Sequence, residues 1–157
     1  MILIRIYLWN QKIVIPNVVQ TEHGFFLDDS PIDVFDISSR DDWTKSLVEK
    51  IKKGNAIVPT PDGSEEPGSA ILEKLDIVKW STFERYSVMY TLHVGARYIS
   101  IYQTGKGEDG MWQSKSSEPR KFDARTPLYQ VIDTLVSEIW RNSRIRPPGT
   151  GLSVISN

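Results

Sequence analysis

The sequence predicts an α+β fold in which two antiparallel β-meanders are each followed by an α-helix packed on the sheet. Two observations lead to this prediction. Short stretches alternate apolar and polar residues with the period of two that half-buried strands show, and two longer stretches repeat apolar residues at helical spacing. The order along the chain is meander, helix, loop, meander, helix, so a loose structural repeat is expected although no repeat is visible in the sequence itself.

The first meander begins with a strand that is apolar on both faces. Residues 2–9 carry apolar side chains at odd and even positions alike, which is typical of a central strand. We expect Asn10-Gln11 to turn this strand into a second one over Lys12–Ile15. Pro16 lacks an N–H group for the strand ladder, so we expect it to end the second strand.

A second hairpin and one further strand complete the first meander. Residues 18–21 and 25–27 flank Glu22-His23-Gly24, a three-residue connection whose glycine tolerates a positive φ. Residues 28–31 form a cluster of turn-forming residues. Residues 32–37 then alternate again and predict the last strand of this meander.

The first long helix is predicted to begin after Ser38 and Ser39, which are good N-cap residues. Acidic residues in its first turn suit the helix dipole, and a glycine at position 54 suits its end. Its apolar face consists of Trp43, Leu47 and Ile51. Beyond it we expect a short edge strand over 55–59, a mobile polar loop over 60–69 and a short helix over 70–75.

The second meander is centred on Trp80–Thr104. From Glu84 onward the apolar residues fall on even positions, which are Tyr86, Val88, Tyr90 and Leu92. We expect a two-residue turn at Gly95-Ala96, which would place Leu92 opposite Ile99 and keep the apolar face continuous.

The remainder of the second meander is predicted with weaker strands. Residues 105–110 (GKGEDG) indicate a hairpin tip, because they lack the spacing and the following helix of a phosphate-binding loop. Strand candidates follow at 111–114 and 120–124. The last helix is expected to begin at Thr126-Pro127. Its apolar stripe consists of Leu128, Val131, Ile132, Leu135, Ile139 and Trp140.

Composition bounds the domain organisation. The chain has 157 residues, of which 39% are hydrophobic and 25% charged, so it is long enough to bury one core. We expect a single α+β domain over residues 1–142 and a flexible C-terminal tail over residues 143–157. The chain contains no cysteine and no apolar run near the ~20 residues that a membrane span needs, which favours a cytoplasmic location and no membrane partner.

Charge is unevenly distributed along the chain. Residues 22–76 contain 13 acidic and 6 basic residues, a net charge of −7, whereas the remainder contains 7 acidic and 13 basic residues, a net charge of +6. Six aspartates fall within fifteen residues, and we interpret them as a candidate acidic binding patch: Asp28, Asp29, Asp33, Asp36, Asp41 and Asp42. The alternative is a face that is charged only for solvation.

The sequence contains few features that would indicate a catalytic site. The two histidines, His23 and His93, lie outside any recognised catalytic motif, and adjacent carboxylates such as Asp41-Asp42 point in different directions. We therefore expect no catalytic residue, no metal site and no cofactor. The basic residues near Trp140 are better explained as favourable charges at a helix C-terminus, so direct nucleic-acid binding is not favoured.

A family resemblance supplies the functional hypothesis. The segment Lys79–Val94 reads W-S-x-F-E-R followed by an alternating strand, and beyond it come a YISIY strand, a glycine-bearing tip with a tryptophan after it, and a Thr-Pro-capped helix LYQVIDTLVSEI. This pattern, over roughly residues 70–142, resembles the CdiI immunity proteins of bacterial contact-dependent growth inhibition. Its most specific positions are Trp80, Phe83, Glu84 and Arg85.

The resemblance implies a cytoplasmic protein that binds and blocks the C-terminal toxin domain of a cognate CdiA effector without catalysis. Since the substrate grooves of nucleases are basic, the acidic patch favours a nuclease toxin, an RNase ahead of a DNase. We expect neutralisation of Asp28, Asp29 and Asp33 to slow association without loss of stability.

Two other function classes stay open at this point. A single-stranded nucleic-acid-binding module would require convergence of four basic residues, which are Arg85, Arg97, Lys115 and Arg120. A small hydrolase would require His23 or His93 to meet a carboxylate in a cleft.

Overall fold

The computed structural model describes residues 1–63, 68–112 and 119–143. Within these ranges, one sheet of seven strands is covered by four helices. The strands are β1 (Ile2–Trp9), β2 (Lys12–Thr21), β3 (Phe26–Asp36), β4 (Ile57–Val58), β5 (Ser87–Val94), β6 (Tyr98–Gln103) and β7 (Arg120–Asp123), and the helices are α1 (Arg40–Lys53), α2 (Ser69–Leu75), α3 (Trp80–Arg85) and α4 (Leu128–Asn142). None of these helices is long and apolar enough to cross a membrane.

The strand order confirms the predicted fold class. The strands lie in the order β3-β2-β1-β5-β6-β7, so each meander runs outward from the centre of the sheet and is followed by its helix, α1 or α4. The two meanders meet through their first strands, which pair antiparallel from Ile2 with Val94 to Trp9 with Ser87. The chain therefore consists of two topologically equivalent halves, as the order of elements predicts.

Both faces of the sheet are covered, by different helices. Helices α1 and α4 bury the larger core against one face, which we call the first face. Helices α2 and α3 cover part of the second face, where Tyr7 and Val14 pack against Ile71 and Phe83. Strand β1 contributes Ile4 and Ile6 to the first core and Tyr7 to the second, which confirms that it is central.

The first meander departs from the prediction at Pro16. Strand β2 does not end there but continues to Thr21, and β3 runs through residues 28–31, which were predicted as a turn. The register shifts at this point: Pro16 pairs with Ile32, whereas Asn17 pairs with Asp29. Two extra residues of β3 form an irregularity opposite Pro16, and a proline is tolerated where the ladder is already interrupted.

The central hairpin also differs from its predicted register. Leu92 pairs with Ile101 instead of Ile99, and the Gly95 N–H donates to the Tyr98 carbonyl at 2.9 Å, so the turn is centred on Ala96-Arg97 instead of Gly95-Ala96. The shift is two residues. Because side chains alternate with a period of two, an even shift leaves every apolar residue on its predicted face.

Other boundaries differ at the ends of elements. Trp80–Arg85 is a short helix, so the central strand begins at Ser87 and not at Glu84. Helix α4 has Pro127 at its N-cap in place of Thr126. Parts of three predictions lie outside the described residues: the 111–114 strand beyond Trp112, the 60–69 loop at residues 64–67, and the C-terminal tail from residue 144 onward.

Strands β1 and β2 separate toward one end of the sheet. They pair near the turn, from Tyr7 with Val14 to Trp9 with Lys12, whereas the far end of β2 pairs with the parallel strand β4. Asn55 lies at this fork, between the two separated strands. Its side chain takes the place of the backbone hydrogen bonds that β1 and β2 do not form there. Its side chain accepts from the Leu3 N–H and donates to the carbonyls of Leu3 and Val18, each at 2.9 Å.

Candidate functional site

The structure distributes the six aspartates over one outer strand and the helix that follows it. Four of them lie on β3, which is the edge strand of the first half, and two lie in the first turn of α1. Their surroundings divide them into two groups.

Asp28 is the most enclosed of the six. Its carboxylate pairs with the Arg5 guanidinium at 2.8 Å and accepts a hydrogen bond from the Tyr7 hydroxyl, and only 6% of its side chain is exposed. Burial raises the pKa of Tyr7 well above its ordinary value, and the Asp28 charge adds to that rise. Asp28 therefore holds β1 and β3 together on the second face, and little of it is open to a partner.

Asp33 and Asp36 are also engaged within the chain. Asp33 accepts from the Ser46 hydroxyl at 2.9 Å and lies 3.4 Å from the Lys50 ammonium, so it links β3 to α1. Asp36 pairs with Lys12 at 3.3 Å, but both of these side chains are largely exposed. An exposed pair of this kind contributes little to stability and is easily exchanged for an external partner.

Asp29, Asp41 and Asp42 are exposed and form no ion pair with any described residue. Together with Asp36 they define what we call the acidic side of the molecule. The predicted patch is thus reduced to four accessible aspartates, since Asp28 and Asp33 serve to join elements of the fold.

The opposite edge of the sheet carries two basic residues and one acidic residue. Strand β7, the outer strand of the second half, begins with Arg120 and Lys121. Arg120 pairs with Glu138 of α4 at 2.6 Å, and the Lys121 ammonium lies 5.5 Å from the centre of the Tyr98 ring. The acidic segment therefore supplies one edge strand, β3, and the remainder of the sequence supplies the other, β7, where the Arg120 charge is balanced by Glu138.

Among the described residues, the basic side chains required by a nucleic-acid-binding module are spread over different parts of the fold. Arg120 pairs with α4 on the first face, whereas Arg85 ends α3 on the second face and packs beside Gly110. Arg97 lies in the β5–β6 turn, and Lys115 lies outside the described residues.

The structure does not bring the histidines to a carboxylate. His23 is exposed in the β2–β3 turn, and His93 of β5 has its Nε2 beside the Met1 sulfur. Across residues 1–63, 68–112 and 119–143, no group of three or more His, Cys, Asp or Glu side chains is arranged to hold a metal ion.

The residues that carry the CdiI resemblance have a clear structural role. Trp80 and Phe83 of α3 pack against Trp112, with ring centres 5.6 and 6.2 Å from it. The Glu84 carboxylate accepts a hydrogen bond from the Trp112 backbone N–H at 2.6 Å. The backbone carbonyl of Glu84 accepts a second one from the Lys106 ammonium. The W-S-x-F-E-R motif thus anchors the loop of residues 105–112 on the second face. The sequence patterns predicted only a hairpin tip for residues 105–110 and gave no sign of this contact.

Comparison with known proteins supports the fold and names no function. No protein-family model matches the chain, and no curated protein matches it significantly. Among solved structures, the chain is similar to a protein of unknown function, NMB0488 from Neisseria meningitidis, with a TM-score of 0.59 and 6% sequence identity. The alignment covers 90% of this chain and 94% of the other. At this identity the similarity shows a shared fold alone.

Proposed function

We propose that this chain is a CdiI-type immunity protein, which binds the C-terminal toxin domain of a cognate CdiA effector in the cytoplasm and neutralises it without catalysis. The observation that carries the proposal is the acidic side, where Asp29 and Asp36 of the edge strand β3 and Asp41 and Asp42 of the first turn of α1 are exposed. The resemblance over residues 70–142 supplies the family.

Electrostatics connects the acidic side to the class of toxin. A nuclease binds a polyanion and therefore presents a basic groove, so an exposed acidic edge attracts it at long range and raises the association rate. We expect the toxin to be a basic nuclease, an RNase ahead of a DNase. Asp28 and Asp33 belong to the proposal only as residues that shape this edge, because their carboxylates are held within the fold.

The direct test uses the C-terminal domain of the protein encoded immediately upstream of this gene, the position at which the proposal expects the toxin. The purified domain is incubated with RNA or with DNA, alone and with one equivalent of this chain. We expect cleavage of RNA by the domain, its loss on addition of the chain, and a 1:1 complex in size-exclusion chromatography. Undiminished cleavage at a tenfold excess of the chain, together with separate elution of the two proteins, would contradict the proposal.

The alternative function, single-stranded nucleic-acid binding, is tested in the same preparation. Labelled single-stranded RNA and DNA are titrated with the chain alone at 50 mM and 200 mM salt. A nucleic-acid-binding module should bind at low salt and weaken steeply with added salt, because binding releases counterions from the phosphates. We expect no saturable binding.

A further inference from the structure

The β1–β2 turn lies at the end of the sheet where three elements are tied together. The Gln11 carbonyl accepts from the Ile37 N–H, just beyond β3, at 3.0 Å, and the Gln11 amide donates to the Ser143 carbonyl at the end of α4 at 3.1 Å. Asn10 and Gln11 both have positive φ angles, 49° and 59°, which a two-residue hairpin turn of type I′ requires. The backbone at this end of the sheet is therefore held in one arrangement.

On one side of the turn, a half-buried tryptophan already holds a guanidinium group. The Arg40 Cζ atom lies 5.6 Å from the centre of the Trp140 ring, within the range of a cation–π contact. Arg40 takes part in none of the ion pairs found among the described residues. The next two residues of α1, Asp41 and Asp42, are exposed and equally unpaired within those residues. An aromatic ring and two free carboxylates are therefore available in the same region of the surface.

On the other side of the turn, a second half-buried tryptophan lies in one row with an exposed ion pair. Trp9 pairs with Lys12 across β1 and β2, and Lys12 pairs with Asp36 across β2 and β3, so the three side chains share the second face. The Lys12 and Asp36 side chains are 42% and 57% exposed. Trp9 packs on Phe83, with ring centres 6.3 Å apart. An aromatic ring, a carboxylate and a loosely held cation thus occur on both sides of the turn.

We propose that this end of the sheet is the docking surface for the toxin, and that arginine or lysine side chains of the toxin displace Arg40 and Lys12 from it. The inference rests on the proposed function and narrows its binding surface. Charge complementarity selects the occupant, because three of the four exposed aspartates of the acidic side lie here, namely Asp36, Asp41 and Asp42. The two tryptophans add aromatic area on a fixed backbone, which is characteristic of the residues that dominate binding energy at interfaces.

Surface plasmon resonance with the upstream-encoded domain tests this surface. Trp140→Leu keeps an apolar helical residue but removes the ring, so we expect dissociation about tenfold faster with little change in association. Arg40→Gln should slow dissociation, because it leaves the Trp140 ring free for a cation of the toxin. The matched control is Lys52→Gln, which removes the same charge at the far end of α1 and should dissociate at the wild-type rate.

The wild-type complex supplies a second readout, which is independent of how the variants fold. The chain has five tryptophans, whose indole N–H signals are followed by NMR as one equivalent of the domain is added. The signals of Trp9 and Trp140 should shift, whereas that of the fully buried Trp43 should not. A complex that leaves the Trp9 and Trp140 signals unchanged, or in which Trp140→Leu and Arg40→Gln dissociate at the wild-type rate, would overturn this inference and leave the proposed function intact. Absence of any complex with the wild-type chain would contradict both.

Discussion

Arg5 of β1 and Asp28 of β3 form an ion pair at 2.8 Å although β2 lies between their strands. The guanidinium crosses over β2 on the second face, and a second nitrogen reaches the Phe26 carbonyl at 3.4 Å. This pair spans the region where β1 and β2 separate. It therefore reinforces the first meander where backbone pairing is weakest.

Loss of the Asp28 charge should destabilise the fold. In Asp28→Asn the Arg5 guanidinium, whose side chain is only 23% exposed, is left without its anion. Removal of one partner from a buried pair costs about 3 kcal/mol. Urea unfolding followed by circular dichroism measures the loss, with exposed Asp29→Asn as the matched control, which should stay within ~0.5 kcal/mol of wild type. Equal stability of the two variants would show that the Arg5–Asp28 pair is not structural.

Asn55 should be required for the fork between β1 and β2. Asn55→Ala leaves the Leu3 N–H and the carbonyls of Leu3 and Val18 without their partner. Unsatisfied groups of this kind cost about 1–3 kcal/mol. Asn17→Ala is the control, because Asn17 makes only a long, exposed hydrogen bond to the Ser30 carbonyl. A smaller loss in Asn55→Ala than in the control would remove Asn55 from its assigned role.

Truncation of Leu92 should show how tightly the core of the second meander is packed. It is fully buried against α1 and α4, so Leu92→Ala should reduce the free energy of unfolding by about 2–5 kcal/mol. Tyr129→Ala truncates a large apolar side chain that is 76% exposed and provides the control. A loss below ~1 kcal/mol at Leu92 would mean that this face of the hairpin is not packed as described.

The acidic side should govern the rate at which the toxin associates. The variant Asp29→Asn/Asp41→Asn/Asp42→Asn removes three exposed charges that make no ion pair within the described ranges. We expect slower association, a flatter dependence on ionic strength and a small loss of stability, about 0.3–1 kcal/mol for each of the two aspartates in the first turn of α1. Surface plasmon resonance at two salt concentrations measures the first two. Wild-type kinetics in this variant would contradict docking on the acidic side and direct the search to the second meander around Arg97–Trp112.

The comparison variant neutralises Asp28, Asp29 and Asp33, the set suggested by the sequence. The structure changes what it should do to stability, since Asp28 and Asp33 hold Arg5 and Lys50. We expect this variant to unfold more easily, in contrast to the unchanged or raised stability that the sequence alone suggested.

Alkaline pH should destabilise the protein through Tyr90. Burial raises the pKa of Tyr90 to about 12, although the Asn142 amide donates to its hydroxyl and Glu138 adds a smaller rise. Between pH 10 and 12 the unfolded chain loses this proton and the folded chain keeps it, so stability falls as pH rises. The difference in urea midpoint between wild type and Tyr90→Phe, measured at pH 9, 10 and 11, isolates this effect. A difference that does not change with pH would contradict it.

Patterns of period two and 3.6 predicted most of the fold, because burial follows them wherever one face of an element is covered. They located β1 as a central strand and placed Leu92 on the correct face even though its partner is Ile101 and not Ile99. The errors fall where tertiary contacts override a local signal. Pro16 and residues 28–31 have the composition of strand breaks, yet both lie within paired strands. The register of β2 and β3 shifts between Pro16 and Asn17, and this one irregularity accommodates both segments.

The candidate site was less predictable for a related reason. Sequence separation between Asp28 and Arg5 is 23 residues, and nothing local indicates that one aspartate of six is buried. Asn55 and Lys106 carry no motif, since their roles arise from a fork and a loop that exist only in the folded chain. The acidic run itself was visible, but its exposed members were not, since the exposed Asp29 lies between Asp28 and Asp33, which form ion pairs within the fold.

The pairing of β1 with β5 also determines when the sheet can form during protein synthesis. The first strand pairs with residues 87–94, so it cannot complete its ladder until the second half has been translated. At synthesis rates of roughly 5–20 residues per second, the nascent chain waits for about 5–20 s with one edge of β1 unpaired. Until then the ribosome-bound chain exposes a long apolar strand edge, the kind of surface that chaperones cover and that neighbouring nascent chains can capture.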